Sequence, residues 1–251
     1  MTKPTKFSDL FKDLVHLANK ESETLTNNSD LKTNPYYVGF GKPNSDVLIV
    51  GQEKAIKSDN LMQIKAESLE NPKHWNYLVE NEIVDIDYKF YSDYYFKNPL
   101  HPYDGKPTKG NTWLQYQKLL NFIYPDFNSE KWNSFLLNSF ITEINHQVSP
   151  RQLGNQKDEK RKSINNHDFY KSFNVTILAV GKYLKNNEIE DQFNVRFQKD
   201  YSEPRKRLLL FTNESENRIV LNIRQLSNDI STEYLKRIAE ISKKYVWQQR
   251  V

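Results

Sequence analysis

The sequence predicts an α/β protein, a three-layer α/β/α sandwich around a mainly parallel, four-stranded sheet. Short apolar runs without polar–apolar alternation recur along the chain, which is typical of strands buried on both faces of a parallel sheet. Stretches whose apolar residues are spaced three and four apart separate these runs, as in helices that connect parallel strands. Because no repeat or linker interrupts this pattern, residues 1–251 are expected to form a single domain, with residues 1–33 as an N-terminal helix and connector.

The first helix is predicted from an apolar stripe with spacings of three and four residues. The stripe consists of Phe7, Leu10, Phe11, Leu14, Val15 and Ala18. The first strand is predicted over residues 46–50, where four consecutive apolar residues stand before Gly51. Helices are predicted over residues 61–69 and 74–81, and residues 98–110 are expected to form an irregular loop because they are rich in proline and glycine.

Three further strands are predicted from later apolar runs, over residues 134–137, 175–180 and 218–222. Another run, over residues 207–211, is either part of the main sheet or an added strand. Helices are predicted to start at Thr112 or Asn111, at about Lys182 and at about Thr232. These elements complete the alternation of strands and helices that defines the fold class.

The composition excludes several kinds of site. The chain has no cysteine, which excludes disulfides, thiolate nucleophiles, zinc ribbons and iron–sulfur clusters. No His, Asp or Glu spacing matches a metal site, and no glycine-rich loop suits a phosphate group, so neither a metal nor a cofactor is expected. No apolar stretch has the length of a membrane span and no signal-peptide pattern is present, which favours a cytoplasmic protein.

Charge and aromatic content leave the partner open. The net charge of +4 is compatible with binding nucleic acid and is also common among other enzymes. Basic residues concentrate in residues 151–171 and 196–207, which form either a nucleic-acid surface or an ordinary solvated one. Aromatic residues concentrate in residues 88–103, where they either stack on bases or pack a long loop against the sheet.

Polar side chains follow the ends of the predicted strands. Gln52 and Glu53 follow the first strand, Asn138 the second and Lys182 the third, and Asn222 ends the fourth. Since the carboxyl ends of parallel strands meet at one edge, these side chains are expected to line a cleft of the kind that binds ligands in open α/β sheets. A carboxamide carries a donor and an acceptor in one plane, so Asn138 is either a reader of a nucleobase edge or a turn cap.

Together, in this order, the strand ends resemble the uracil-DNA glycosylase superfamily. The first family motif, Gly-Gln-Asp-Pro-Tyr, resembles residues 51–55, which read Gly-Gln-Glu-Lys-Ala. The second motif is an apolar run ending in the uracil-reading Asn and followed by Leu-Thr, and it resembles the run that ends at Asn138 and continues to Ile141 and Thr142. The resemblance extends from about Asn34 to the last helix.

Two further motifs support this resemblance. The family's Trp-Gly-x-Tyr turn resembles residues 180–183, which read Val-Gly-Lys-Tyr. The family's His-Pro-Ser-Pro-Leu-Ser loop resembles residues 222–227, which read Asn-Ile-Arg-Gln-Leu-Ser. Two of the chain's departures from these family motifs bear directly on the chemistry. The His that stabilises the departing base is Asn222 here, and the Tyr that excludes thymine is Ala55.

The resemblance implies roles in catalysis. Glu53 corresponds to the acid that positions water and stabilises the sugar cation, and Asn138 corresponds to the base reader. Asn222 or Arg224 is expected to stabilise the departing base. Gln52 is expected to contact the substrate.

It also implies contacts with nucleic acid. Leu226 corresponds to the wedge that enters the duplex, and Ser227 to a phosphate contact. Lys182 is expected to contact DNA. His146, which has no firm counterpart in the family, is either a substrate contact or a structural hydrogen-bonding residue.

The function that the sequence predicts is base excision from DNA, by monofunctional hydrolysis of the N-glycosidic bond of uracil or another damaged base. The implied partner is single- or double-stranded DNA, bound by a monomer without metal or cofactor. Two alternatives remain: a catalytically silent protein of this fold that binds nucleic acid or a nucleotide-like ligand, and a hydrolase of a free nucleoside or other small molecule.

Overall fold

The computed structural model of the chain describes residues 6–25, 33–56, 59–84, 112–125, 134–149, 151–203, 206–226 and 230–246. Its strands are β1 (Phe40–Gly41), β2 (Val47–Gly51), β3 (Ser139–Glu143), β4 (Val175–Leu178), β5 (Arg196–Phe197), β6 (Leu208–Thr212) and β7 (Ile219–Ile223). They form one sheet in the order β1-β3-β2-β4-β7-β6-β5. The predicted α/β class is confirmed.

The prediction of a four-stranded sheet is wrong, because the sheet is mixed and the described residues alone contribute seven strands to it. Its centre, β3-β2-β4-β7, is parallel, whereas β1, β5 and β6 pair in the antiparallel sense. The added edge strands β1 and β5 have two residues each, too few to show a periodic pattern in the sequence. The run over residues 207–211, left open by the sequence, is the antiparallel strand β6.

The parallel centre contains a topological switch point. From β2 the chain passes to β3 on one side and later to β4 on the other. In open α/β sheets, ligands bind in the crevice outside the carboxyl ends of the strands at such a point. We call the edge that carries the carboxyl ends of β2, β3, β4 and β7 the rim.

Helices cover both faces of the sheet. The α-helices of the described residues are α1 (Asp9–Glu23), α2 (Leu61–Ile64), α3 (Asn71–Glu80), α4 (Thr112–Ile123), α5 (Glu159–Asn165), α6 (Asp168–Lys171), α7 (Asn186–Phe193) and α8 (Thr232–Val246). The Phe140 ring packs on rings from α1, α3 and α6. Helix α4 lies on the other face with α8, and a single hydrophobic core includes residues from Phe7 to Val246.

The prediction of a strand over residues 134–137 is wrong. Ser134–Leu137 is a 3₁₀ helix, and the strand begins at Ser139. Phe135 is buried against Trp113 and Tyr116 of α4, and its backbone N–H donates to Gln117 Oε1 at 2.9 Å. The apolar run is therefore buried because it packs on a helix. The spacing of apolar residues in the sequence does not distinguish this kind of burial from burial in a sheet.

The N-terminal helix agrees with its sequence pattern in most positions. Ser8 caps α1, its side chain accepting from the Phe11 N–H at 3.3 Å. Phe11, Leu14, Val15 and Ala18 are buried, whereas Leu10 is partly exposed. Among the described residues, no helix combines the length and apolar character needed to span a membrane.

Candidate functional site

Glu53 lies at the rim, directly beyond β2, and its carboxylate is held by three hydrogen-bond donors. Asn145 Nδ2 donates to Oε2 at 3.1 Å, and the Leu153 backbone N–H donates to Oε1 at 3.2 Å. The Tyr183 hydroxyl lies 3.1 Å from both oxygens. These donors come from the segments that follow β3 and β4 and from the loop between β3 and α5, so three parts of the rim converge on one carboxylate.

A loop over residues 151–156, which we call the rim loop, crosses the site. The Gly154 N–H donates to the Tyr183 hydroxyl at 3.0 Å, and the Gln156 N–H donates to Asn145 Oδ1 at 3.1 Å. Gln152 Nε2 donates to Gln225 Oε1 at 2.7 Å, beyond β7. The rim loop thereby ties together the segments that follow β2, β3, β4 and β7.

Gln52 spans the switch point. Its side chain is 5% exposed, and Nε2 donates to the Val180 carbonyl beyond β4 at 3.1 Å. Its Oε1 is buried without a hydrogen-bond partner within the described part of the chain. Gln52 therefore presents a desolvated acceptor at the position where the topology favours a ligand.

Asn222 is another buried carboxamide of the rim. It stands in β7 opposite Leu178 of β4, is 0% exposed, and has no partner for Oδ1 or Nδ2 among the described residues. A buried polar atom without a partner costs about 1–3 kcal/mol. Such a cost in the centre of a sheet is expected where the group serves a ligand.

Replacing Asn222 by Leu is expected to raise the free energy of unfolding by about 1–2 kcal/mol, because Leu has the same branching and removes two unpaired polar atoms. The matched control is Asn145→Leu, which is expected to lower it by about 2 kcal/mol, because every polar atom of Asn145 is hydrogen-bonded. Urea unfolding measures both values. Destabilisation of both variants would show that Asn222 is satisfied in solution.

Asn138 lies away from this site. It precedes β3, whose five residues extend roughly 15 Å to the rim. Its backbone N–H donates to Phe135 O at 3.1 Å, closing the 3₁₀ turn. The expectation that Asn138 ends a strand is therefore wrong, and Asn145 holds the corresponding position beyond β3.

His146 has structural contacts at both ring nitrogens. Nδ1 lies 3.0 Å from Thr33 Oγ1, and Nε2 lies 2.9 Å from Gln147 Nε2 and 3.6 Å from Asp158 Oδ2. Burial lowers the pKa of His146 to about 4, with Asp158 acting in the opposite direction. The imidazole is thus neutral near pH 7. Its contacts are those of a structural hydrogen-bonding residue, the second of the two alternatives given for His146.

The remaining predicted residues divide by position. The Arg224 guanidinium lies over the Tyr234 ring of α8, 4.9 Å from its centroid, and Lys182 is exposed beside the rim. Leu226 is 0% exposed in the hydrophobic core, so the wedge role would require it to leave the core. Ser227 and residues 88–103 lie outside the described residues.

A group of charged residues lies at the rim; Lys54 and Glu67 are buried, and Glu143, at the end of β3, is partly buried. Lys54 Nζ is 3.1 Å from the centre of the Tyr37 ring and has no hydrogen-bond partner among the described residues. Burial lowers the pKa of Lys54 to about 7. Burial also raises the pKa of Glu143 and of Glu67 to about 7. The Glu143 carboxylate lies where a side chain at Gly51 would stand, so Gly51 makes room for it.

The raised pKa of Glu143 predicts a pH-dependent stability. The pKa of this carboxyl is about 7 in the folded protein, against an ordinary value of 4.5. The stability that its protonation contributes to the folded state is therefore fully present below pH 4.5 and is lost as the pH rises through 7. Relative to wild type, Glu143→Gln is expected to gain about 3 kcal/mol in unfolding free energy between pH 4.5 and pH 8. Urea unfolding at both pH values measures this gain, with the exposed Glu159→Gln as the control. An equal difference from wild type at the two pH values would contradict it.

Two residues of the site, Asn145 and Tyr183, were not predicted from the sequence in the roles that they hold. Asn145 was hidden because the strand before it includes Ser139 and Thr142, which obscure the apolar pattern. The signal was present: the next amide beyond a strand that continues past Asn138 is Asn145. The role of the rim loop could not be predicted from the sequence, because its hydrogen bonds join residues that are far apart along the chain.

Comparison of the chain with protein-family models, with curated proteins and with solved structures finds no match. A function is therefore inferred from the residues at the rim.

Proposed function

We propose that the chain is a base-excision DNA glycosylase, which hydrolyses the N-glycosidic bond of uracil or another damaged base. The observation that carries the proposal is the Glu53 carboxylate at the switch point, oriented by Asn145, Leu153 and Tyr183. Gln52 and Asn222, buried carboxamides whose atoms include some with no partner in the part of the chain that the structure describes, belong to the same rim. A fixed carboxylate beside unpaired amides suits a reaction in which a cation forms next to a planar heterocycle.

The proposed chemistry follows from these groups. Water attacks C1′ of the sugar as the bond from C1′ to the base nitrogen breaks, and the base leaves with the electron pair. Glu53 stabilises the cationic sugar and accepts the proton of the water, which then passes to solvent. Asn222 Nδ2 would donate to the developing anion of the base, a contribution of the kind worth about 10²–10³-fold in rate.

In this proposal the buried amides of Gln52 and Asn222 recognise the base, in place of Asn138. Among the described residues, Asn222 has an unpaired donor and an unpaired acceptor, and Gln52 has an unpaired acceptor. A pyrimidine imide offers the complementary carbonyl and N–H groups. The rim loop is hydrogen-bonded to Glu53, the neighbour of Gln52, and to Gln225 beyond β7, so in this proposal the loop moves before a base reaches the two amides.

Single-stranded DNA is the form of substrate that we propose. Leu226 is packed in the core, so a wedge for opening a duplex is not available in this conformation. A base in a single strand needs less energy to enter a pocket than a paired one. Arg151 is exposed on the rim loop, and Arg207 donates to the Gly181 carbonyl beside it, so both basic stretches reach the rim.

A catalytically silent protein that binds nucleic acid or a nucleotide-like ligand is the second candidate. The observation that favours it is that both Glu53 oxygens already accept hydrogen bonds from the protein, which leaves the carboxylate less able to orient water. In this case the amides would bind a base without cleaving it.

Single-turnover assays on oligonucleotides distinguish the two candidates. Strands carrying uracil, hypoxanthine or xanthine, single or in duplex, are incubated with the protein and then cleaved with alkali at abasic sites. The glycosylase proposal expects breaks at one modified base, more on single strands than on duplexes. If no strand is broken, the enzyme proposal is wrong, and fluorescence anisotropy with the same strands then tests the binding candidate.

A further inference from the structure

A second carboxyl group, that of Glu143, lies at the rim near Glu53. Glu143 ends β3 and stands opposite Gly51, the last residue of β2, in the parallel register. Its carboxylate occupies the space that a side chain at Gly51 would fill. Glu53 follows Gly51 by two residues and interacts electrostatically with Glu143. The Glu143 carboxyl therefore lies at the switch point, and the reaction proposed above gives it no role.

The two carboxyl groups of the rim have different surroundings. Glu53 accepts hydrogen bonds from three donors, which suits a carboxylate anion. Glu143 is partly exposed, and its oxygens accept no hydrogen bond from the described residues and are not sealed from solvent. Partial burial without donors favours the neutral acid over the anion. Two carboxyl groups in such different environments are typical of a site where one acts as the anion and the other as the acid.

The charges around Glu143 act in the same sense as its geometry. Burial raises the pKa of Glu143 to about 7, the charge of Glu53 acts in the same direction, and Lys54 and Arg161 act in the opposite direction. Near pH 7 this carboxyl is thus divided between acid and anion, the condition in which a side chain delivers a proton efficiently. The titratable and charged groups that interact with it come from the segments next to β1 and β2, from the turn before α3 and from helices α4 and α5: Tyr37, Glu53, Lys54, Glu67, Tyr116 and Arg161.

We propose that Glu143 is the general acid of base release and that the base released is a damaged purine such as hypoxanthine. This inference rests on the proposed glycosylase function and narrows its substrate. A purine has an unprotonated ring nitrogen, N7, that accepts a proton, whereas uracil offers carbonyl oxygens and an N–H instead. A general acid therefore assists the departure of a purine more than that of uracil. Hypoxanthine also carries the carbonyl and N–H groups that the amides of Gln52 and Asn222 complement.

Protons and electrons balance in the proposed step. The Glu143 carboxyl gives its proton to N7 while the bond from C1′ to N9 breaks and its electron pair goes to the base. Water adds to C1′, and the proton that the water loses passes to Glu53 and then to solvent. The base leaves as a neutral molecule, which reduces the charge that Asn222 has to stabilise, and the Glu143 carboxylate regains a proton from solvent.

Single-turnover excision from single strands that carry hypoxanthine or uracil tests the inference. The wild type is expected to release hypoxanthine faster than uracil, at a rate that falls about tenfold per pH unit above pH 7. Glu143→Gln keeps the size of the side chain and removes the proton. It is expected to lower the hypoxanthine rate about 10²-fold, to change the uracil rate less than about threefold, and to abolish the fall with pH. The exposed Glu159→Gln is expected to match the wild type, and circular dichroism at each pH checks that every protein is folded.

The outcomes separate this inference from the proposed function. If the wild type releases neither base, the proposed function is contradicted and this inference with it. If hypoxanthine is released equally fast by the wild type and by Glu143→Gln, only the role of Glu143 is overturned. A fall with pH that persists in Glu143→Gln would belong to another group, such as Lys54, and would overturn that role as well. Faster release of uracil than of hypoxanthine by the wild type would overturn the assignment of a purine.

Discussion

Glu53→Gln is expected to lower the rate of base release from a single-stranded oligonucleotide by about 10²–10³-fold, because the amide neither stabilises a cationic sugar nor accepts a proton from water. Tyr183→Phe keeps the carboxylate but removes one of the groups that orient it, so a smaller loss of about tenfold is expected. Single-turnover rates at saturating enzyme measure both effects directly on the chemical step.

Asn138→Ala is the control for this series, because the structure puts Asn138 at the opposite end of β3 from Glu53. Its rate is expected to stay within about twofold of the wild type. Loss of activity in Asn138→Ala with retention in Glu53→Gln would contradict the proposed site and favour the base-reading role predicted for Asn138.

Arg161→Met is expected to lower the free energy of unfolding by about 4 kcal/mol, the largest loss of stability expected from a single substitution here. Arg161 is 1% exposed, and its guanidinium donates to the carbonyls of Pro35, Tyr37 and Glu143 and to Thr142 Oγ1. Met fills much of the space but leaves these buried acceptors without their donor. Urea unfolding measures the loss.

Arg161→Lys and Lys160→Ala complete this experiment. A lysine keeps the charge but cannot reach all of these acceptors with one ammonium group, so Arg161→Lys is expected to lose at least about 2 kcal/mol. Lys160 is exposed on the same helix, and Lys160→Ala is expected to stay within about 0.5 kcal/mol of the wild type. A loss under about 1 kcal/mol for Arg161→Met would contradict the role assigned to its hydrogen bonds.

The fold class was predictable from the sequence because the central strands are short, apolar and separated by helices. The apolar runs of β2, β4 and β7 differ from the observed strands by one or two residues at their ends. The error at residues 134–137 arose because burial against α4 produces the same run of apolar residues as burial in a sheet. Burial against a helix and burial in a sheet can be distinguished only by contacts between residues that are distant in the sequence.

The candidate site was predictable in part. Gln52, Glu53 and Asn222 were found because each is adjacent to, or at the end of, a correctly identified strand. Asn138 was wrongly assigned to the end of a strand, because the strand was predicted five residues before the position at which β3 begins. Leu226 and Arg161 show a different limit, since burial in the core depends on packing partners that are distant in sequence.

The rim loop has a consequence for the kinetics of binding. If the chain binds a base at Gln52 and Asn222, as proposed, the hydrogen bonds of the loop to Glu53, Asn145 and Tyr183 would break first. If the open form is a minor population, the apparent affinity is reduced by the fraction that is open. The observed rate of binding would then level off at high ligand concentration, at the rate of loop opening rather than at the rate of encounter.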